Sequence, residues 1–168
     1  MTDPTVLILM GSDSDLGTME ETTKVLDKFG VPFEIHVSSA HRSPAKTGKL
    51  AREAAGRGIQ VVIAAAGVAA HLAGVVASET ALPVIGVPMA GGPLNGVDAL
   101  YSMVQMPGGM PVGTMAIGKA GAKNAGLFAV QILSLGNPEL RDRFARYKAQ
   151  MAEEVEQKDA ELQASRGA

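Results

Sequence analysis

The chain has 168 residues and no cysteine, which excludes disulfides, thiolate nucleophiles and cysteine-based metal centres. A formal net charge of -2 gives no general attraction to nucleic acid, so any anion site must be local. Glycine fills 20 positions and tryptophan none, a composition that packs small aliphatic side chains and lets the backbone approach a ligand closely.

The start, MTDPTVLILMG, has no basic segment before its apolar run and does not read as a signal peptide. No apolar run is long and clean enough to span a bilayer. With the missing cysteines, this fits a cytoplasmic setting. VLILM at 6–10 reads as a strand buried on both faces. GSDSD follows at 11–15. Residues 16–29 then show helical spacing through Met19, Thr23, Leu26 and Phe29, closed by Gly30. PFEIHV at 32–37 reads as a second strand and SSAHRS as a loop; Pro44 opens a helix to about residue 56. IQVVIAAA at 59–66 is a third strand, GVAAHLAG leads into a helix, and LPVIGVP at 82–88 is a fourth strand. The Gly/Pro-rich loop MAGGPLNG, a short helix over 97–104 and a second loop, QMPGGMP, come next. VGTMAIG at 112–118 is a fifth strand, and a helix over 120–135 ends at Gly136, Asn137 and Pro138.

Strand and helix alternate at βαβ spacing. This predicts an α/β fold with a central parallel five-stranded sheet and helices on both faces. Right-handed crossovers put every loop that follows a strand on one edge. GSDSD, SSAHRS, AGVAAH and MAGGPLNG should therefore share one crevice. Residues 1–138 make up this α/β nucleotide-binding domain. Residues 139–168 read as a long helical extension, with Leu140, Phe144, Tyr147, Met151, Val155 and Leu162 on one stripe. That stripe should pack on the core or on a partner subunit, with QASRGA frayed.

GSDSD can cradle a phosphate through Ser12, Ser14 and backbone N–H groups, or can simply cap its helix. Asp13 and Asp15 repel a phosphate, and Asp15 is the better candidate to accept ribose hydroxyls. In SSAHRSP, Arg42 offers a planar fork for phosphate and His41 a group that moves protons near neutrality. The alternative is a solvated loop, but Ser38, Ser39, His41, Arg42 and Ser43 are dense in useful groups. His71 can orient its loop or take part in chemistry, and His36, inside a strand, reads as structural. No HExxH or paired acidic cluster points to a metal. Between residues 89 and 118, Asn95, Asp98, Ser102 and Gln105 are candidate polar contacts, and Met103 and Met106 are packing residues.

Five ordered stretches carry a resemblance: GSDSD, SSAHRSP, IAAAGVAAHLAG, PVIGVP and LNGVDALYSMVQMPGGMPVGTMAIGKAGAKNA. From about Val6 to Leu135 the chain resembles the N5-carboxyaminoimidazole ribonucleotide mutases of purine biosynthesis, also named catalytic subunits of phosphoribosylaminoimidazole carboxylase. The resemblance implies a flavodoxin-like three-layer α/β/α fold and a homo-octamer whose subunits share active sites. It implies transfer of a carboxylate from N5 to C4 of the imidazole, without metal, biotin, ATP or other cofactor. Neither nucleic acid nor membrane is an implied partner.

By the same resemblance, Ser12, Ser14, Ser39 and Arg42 match the residues around the phosphate, and Asp15 matches the carboxylate on the ribose hydroxyls. His41 matches the catalytic histidine. Ala66 and Gly67 match the backbone that lines the imidazole and carboxylate, with His71 and Leu72 beside it. Residues 91–96 and 106–110 match lid or intersubunit segments. Ala65, Val68 and Ala73 stand where the family commonly has Gly, Gly and Pro. A β-branched Val68 is disfavoured at positive φ, so this loop is expected not to require one there. Two rivals share the pattern: a direct aminoimidazole ribonucleotide carboxylase using CO2, and a non-catalytic nucleotide-binding module.

Overall fold

The apolar runs become five parallel strands: β1 (Val6–Met10), β2 (Phe33–Val37), β3 (Val61–Ala66), β4 (Val84–Pro88) and β5 (Gly113–Thr114). In the computed structural model, which describes residues 3–166, they form one sheet in the order β2-β1-β3-β4-β5. That is the flavodoxin-like order. The helices are α1 (Leu16–Lys28), α2 (Pro44–Ala54), α3 (Leu72–Glu79), α4 (Val97–Val104), α5 (Lys119–Ser134) and α6 (Pro138–Arg166).

Every residue of β1, β3 and β4 is buried, because helices cover both faces of the sheet. Val6, Ile8 and Met10 point into a core made with Met19, Leu26 and Val130, from α1 and α5. Leu7 and Leu9 point to the other side, with Ala54, Leu72, Val76 and Met103, from α2, α3 and α4. In-register pairing places Met10 beside both Val37 and Ala65, so three strands end at one level. Their loops emerge together on either side of β1, where the strand order reverses and α/β folds place their ligands.

Several details depart from the sequence reading, among them the starts of β3 and β4, each two residues later than read. The inward threonine of α1 is Thr22, not Thr23: buried Thr22 Oγ1 donates to the Ala122 carbonyl at 2.7 Å, while Thr23 turns back to Glu20 O at 3.1 Å. The second helix stops at Ala54, and a 3-10 turn over Ala55–Arg57 leads to left-handed Gly58. The fifth strand pairs only over Gly113–Thr114. Beyond it the chain stays tied to β4 by single bonds, Met115 N to Gly86 O (2.8 Å) and Gly118 N to Pro88 O (2.9 Å), as it bends into α5.

The last difference is in α6, which runs unbroken to Arg166 instead of fraying from Gln163. Gln150–Glu154, Gln157–Glu161 and Gln163–Asp159 side-chain bonds at helical spacing support it. Residues 167 and 168 of the stretch expected to fray lie outside the described residues. The apolar stripe splits in two. Leu140 is buried, and Phe144 and Tyr147 pack on Phe29 with ring centroids 5.9 and 5.5 Å away. Met151, Val155 and Leu162 stand exposed on the far half. No described helix is long and apolar enough to cross a membrane.

Candidate active site

A cleft of about 510 Å³ opens where the loops after β1, β2, β3 and β4 converge. In the first of these, Ser12 caps a 3-10 turn over Asp13–Asp15. Its Oγ accepts the Ser14 amide (3.3 Å) and the Ser14 hydroxyl (2.9 Å), and its own amide donates to Asp15 Oδ2 at 3.2 Å. The capping alternative is therefore realised, and it sets both serine hydroxyls at the cleft wall.

Asp15 is half-buried, and its carboxyl is held above the ordinary carboxylate range. Burial is the main cause; the Ser12 N–H opposes it and the Asp13 charge adds to it. The folded protein thus binds a proton that the unfolded chain releases, so this group's contribution to stability falls as pH rises through the carboxylate range. Asp15→Asn keeps an oxygen for the Ser12 amide and removes the charge. Its melting temperature is expected to lie above wild type at pH 7, with the gap closing as the pH drops below the carboxylate range. Melts across that range check this, and a variant that is less stable at pH 7 contradicts it.

The second loop builds itself from its own serines. Ser38 is buried, with its hydroxyl 2.7 Å from Thr47 Oγ1. Ser43 Oγ accepts the Ser39 amide (3.0 Å) and donates to the Ser39 carbonyl (3.1 Å). The density of polar groups in this stretch is thus partly loop construction. Ser39 Oγ accepts the Arg42 amide at 3.1 Å, and Arg42 Nη2 reaches across to donate to the Gly11 carbonyl at 2.8 Å. The guanidinium bridges the loops after β1 and β2, alongside the Ser12 and Ser14 hydroxyls. Guanidinium, hydroxyls and a helix N-terminus together make a cradle for an anion.

His41 Nε2 lies 2.8 Å from His71 Nδ1, with the two rings nearly perpendicular at 77°. Such a bond needs one donor and one acceptor, so these two nitrogens hold a single proton between them. Loops that follow different strands bring the pair together, and both rings face the cleft.

In the third loop, the Ala66 carbonyl accepts the Met89 amide at 2.9 Å, and Gly67 lies against Met89. Val68 has φ 54, which overturns the expectation that no positive dihedral falls there. Two tight turns follow at once, Ala70 N to Val68 O and His71 N to Ala69 O, both 2.9 Å. This abrupt reversal before α3 imposes the left-handed step, which costs a side-chain-bearing residue roughly 1–2 kcal/mol. Leu72 is buried as α3 begins.

Ser12, Ser14, Asp15, Ser39, His41, Arg42, Ala66, Gly67, His71 and Leu72 all line this one cleft. Asn95, Asp98, Ser102 and Gln105 do not. Asn95, at φ 50, shapes a turn, Asp98 Oδ1 accepts the Ala99 amide (2.9 Å), and Ser102 Oγ donates to Asp98 O (2.8 Å). Met103 is fully buried, and Met106 packs on Gly74. His36 sits on the edge strand, 3.7 Å from Glu34, outside the cleft. Gly11, Ala40, Ala69, Met89 and Ala90 also line the cleft, within the loops the sequence places there though not singled out, and Thr18 lines it from outside those loops. Thr18 is one helical turn past Ser14, a spacing that marks it. Among the described residues, no three His, Asp or Glu side chains gather as metal ligands.

A family model described as AIR carboxylase matches residues 5–154. The chain belongs to the AIR carboxylase family. Relatives named N5-carboxyaminoimidazole ribonucleotide mutase include the Pyrococcus horikoshii protein, 51% identical over 95% of this chain and 89% of that one. The Synechocystis protein of the same name is 52% identical over 97% and 93% of the two chains. A crystal structure of Treponema denticola PurE superposes with a TM-score of 0.85 at 31% identity, covering 95% of this chain and 98% of that one. As a member of the AIR carboxylase family over nearly its whole length, the protein is an enzyme.

Proposed function

We propose that this enzyme converts N5-carboxyaminoimidazole ribonucleotide to 4-carboxy-5-aminoimidazole ribonucleotide in purine biosynthesis. The observation that carries this reading is the imidazole pair His41–His71 standing beside the Arg42 and serine anion cradle in one cleft. The names of the relatives supply the substrate class.

Arg42, Ser12, Ser14 and Ser39 hold the phosphate, and Asp15 accepts the ribose hydroxyls. These contacts lie away from the reacting atoms and fix their orientation. The imidazole then lies along the Ala66–Gly67 backbone, with Leu72 and Met89 as apolar walls. The N5–carboxyl bond breaks to give CO2, and N5 takes up a proton from His41. C4 attacks the CO2, a carbon–carbon bond forms, and the C4 proton passes to His41. The proton count closes on one residue, and His71 holds that ring through its Nδ1.

CO2 must stay in place between the two halves, so the cleft has to exclude water and close. Leu94 and Tyr101, before and on α4 respectively, are 58% and 60% exposed, and the far half of α6 bears uncovered apolar side chains. These faces suit burial between subunits of a homo-octamer with shared active sites.

The test is a paired-substrate assay. N5-carboxyaminoimidazole ribonucleotide is expected to turn over without added bicarbonate, faster than aminoimidazole ribonucleotide with bicarbonate. Turnover of the second pair alone would instead make the protein a direct carboxylase. Binding without turnover of either would leave only a nucleotide-binding module.

A further inference from the structure

The residue least suited to its backbone stands on the rim of the cleft. Among the described residues, only Val68 and Asn95 adopt positive φ without being glycine. Asparagine tolerates that region; valine, branched at Cβ, does not. Such a conformation persists where its surroundings over-determine it. Here the preceding Ala66 carbonyl is pinned by the Met89 amide, and the Val68 carbonyl by the Ala70 amide, each at 2.9 Å.

The left-handed step aims the side chain out of its own loop. Val68 Cγ2 lies 3.2 Å from the point where a Cβ on Gly92 would stand. Gly92 is itself left-handed, φ 64, and its carbonyl accepts the Asn95 amide at 3.3 Å to start the turn before α4. Val68 is 51% exposed and lines the cleft, as does Gly91. Its isopropyl group therefore stands at the cleft wall with one methyl beside Gly92, where the loop after β3 meets the loop after β4.

We propose that Val68 is a positioning residue, a latch that holds the loop of residues 91–96 over the cleft and so keeps CO2 inside between its release and its capture. The catalytic half of this rests on the carboxylate-transfer reading above; the latch itself does not. Without the latch, CO2 leaves after the N5–carboxyl bond breaks. N5 keeps its proton, and aminoimidazole ribonucleotide is the product.

Val68→Ala removes the methyl that stands beside Gly92, and Val68→Gly also frees the backbone. In the ligand-free protein, amide exchange at Asn95 and Val97, which donate to Gly92 and Leu94, is expected to be several-fold faster in both variants. Unchanged exchange overturns the latch, whatever reaction the enzyme performs. With the carbamate substrate, the fraction of turnovers that release aminoimidazole ribonucleotide is expected to rise several-fold, with KM little changed. Faster exchange with undiminished coupling overturns the catalytic role. The glycine variant is expected to melt above the alanine variant, and the reverse order contradicts the strained backbone. If wild type leaves the carbamate untouched, the reading of the reaction has failed and exchange alone decides the latch.

Discussion

Replacing His41 with asparagine is expected to lower kcat by about a hundred- to ten-thousand-fold, the range for losing a positioned general acid–base group, while the nucleotide still binds. His41 is exposed on a loop whose shape is set by Ser39, Ser43 and Thr47, so its loss leaves the fold standing. Asparagine can still hydrogen-bond to His71 Nδ1 but neither takes nor releases a proton near neutrality. The anion cradle does not include the His41 ring: Arg42 is held by Gly11 and Ser39. Affinity measured by calorimetry with the product nucleotide should thus stay within a few-fold of wild type. Added imidazole should restore part of the rate in the variant and none in wild type, which a merely structural histidine would not produce. A variant that turns over normally, or that loses binding and rate together, would remove His41 from the chemistry.

Much of this site was legible because βαβ alternation fixes where loops go. Once VLILM, FEIHV, VVIAAA and VIGVP are parallel strands, right-handed crossovers leave GSDSD, SAHRS and AGVAAH no other edge to occupy. Unbroken apolar runs are a strong signal: VLILM, VVIAAA and VIGVP proved fully buried, while FEIHV, interrupted by Glu34 and His36, is only partly covered at the sheet edge. The fifth strand was read too long because VGTMAIG has the composition of a strand, whereas its pairing is cut short by the seat of α5, a tertiary effect with no local signature. The choice between Thr22 and Thr23 turned on a carbonyl 100 residues away. Val68 failed for a similar reason. Its intrinsic preference opposes positive φ, and the turn that overrules it is set by bonds to Ala70 and Met89 around it. The far half of α6 is the reverse case: its stripe was visible, but a single chain offers nothing to cover it.

Gly121→Ala should cost about 4 kcal/mol or more, the exceptional range for one substitution, and so a large share of the stability of an ordinary domain. A Cβ at Gly121 would overlap the Ala116 carbonyl oxygen and stand 2.6 Å from its carbon. Neither side can yield. The chain around Ala116 is tied to β4 through the Met115 and Gly118 amides, at 2.8 and 2.9 Å. Helix α5 is locked on α1, where Thr22 binds the Ala122 carbonyl at 2.7 Å and Gly126 leaves a would-be Cβ only 2.9 Å from Val25 Cβ. The same α1 carries Ser12–Asp15 at its N-terminal end, so a displaced α5 would move that cleft loop as well as open the core. Urea denaturation checks this, with Gly136→Ala as the control, since a Cβ there meets nothing within 4 Å. The control should unfold like wild type and the Gly121 variant should be unfolded or insoluble. If the Gly121 variant unfolds within about 1 kcal/mol of wild type, well inside the usual range for single substitutions, then α5 is not seated on the Ala116 backbone, and the short fifth strand needs another cause.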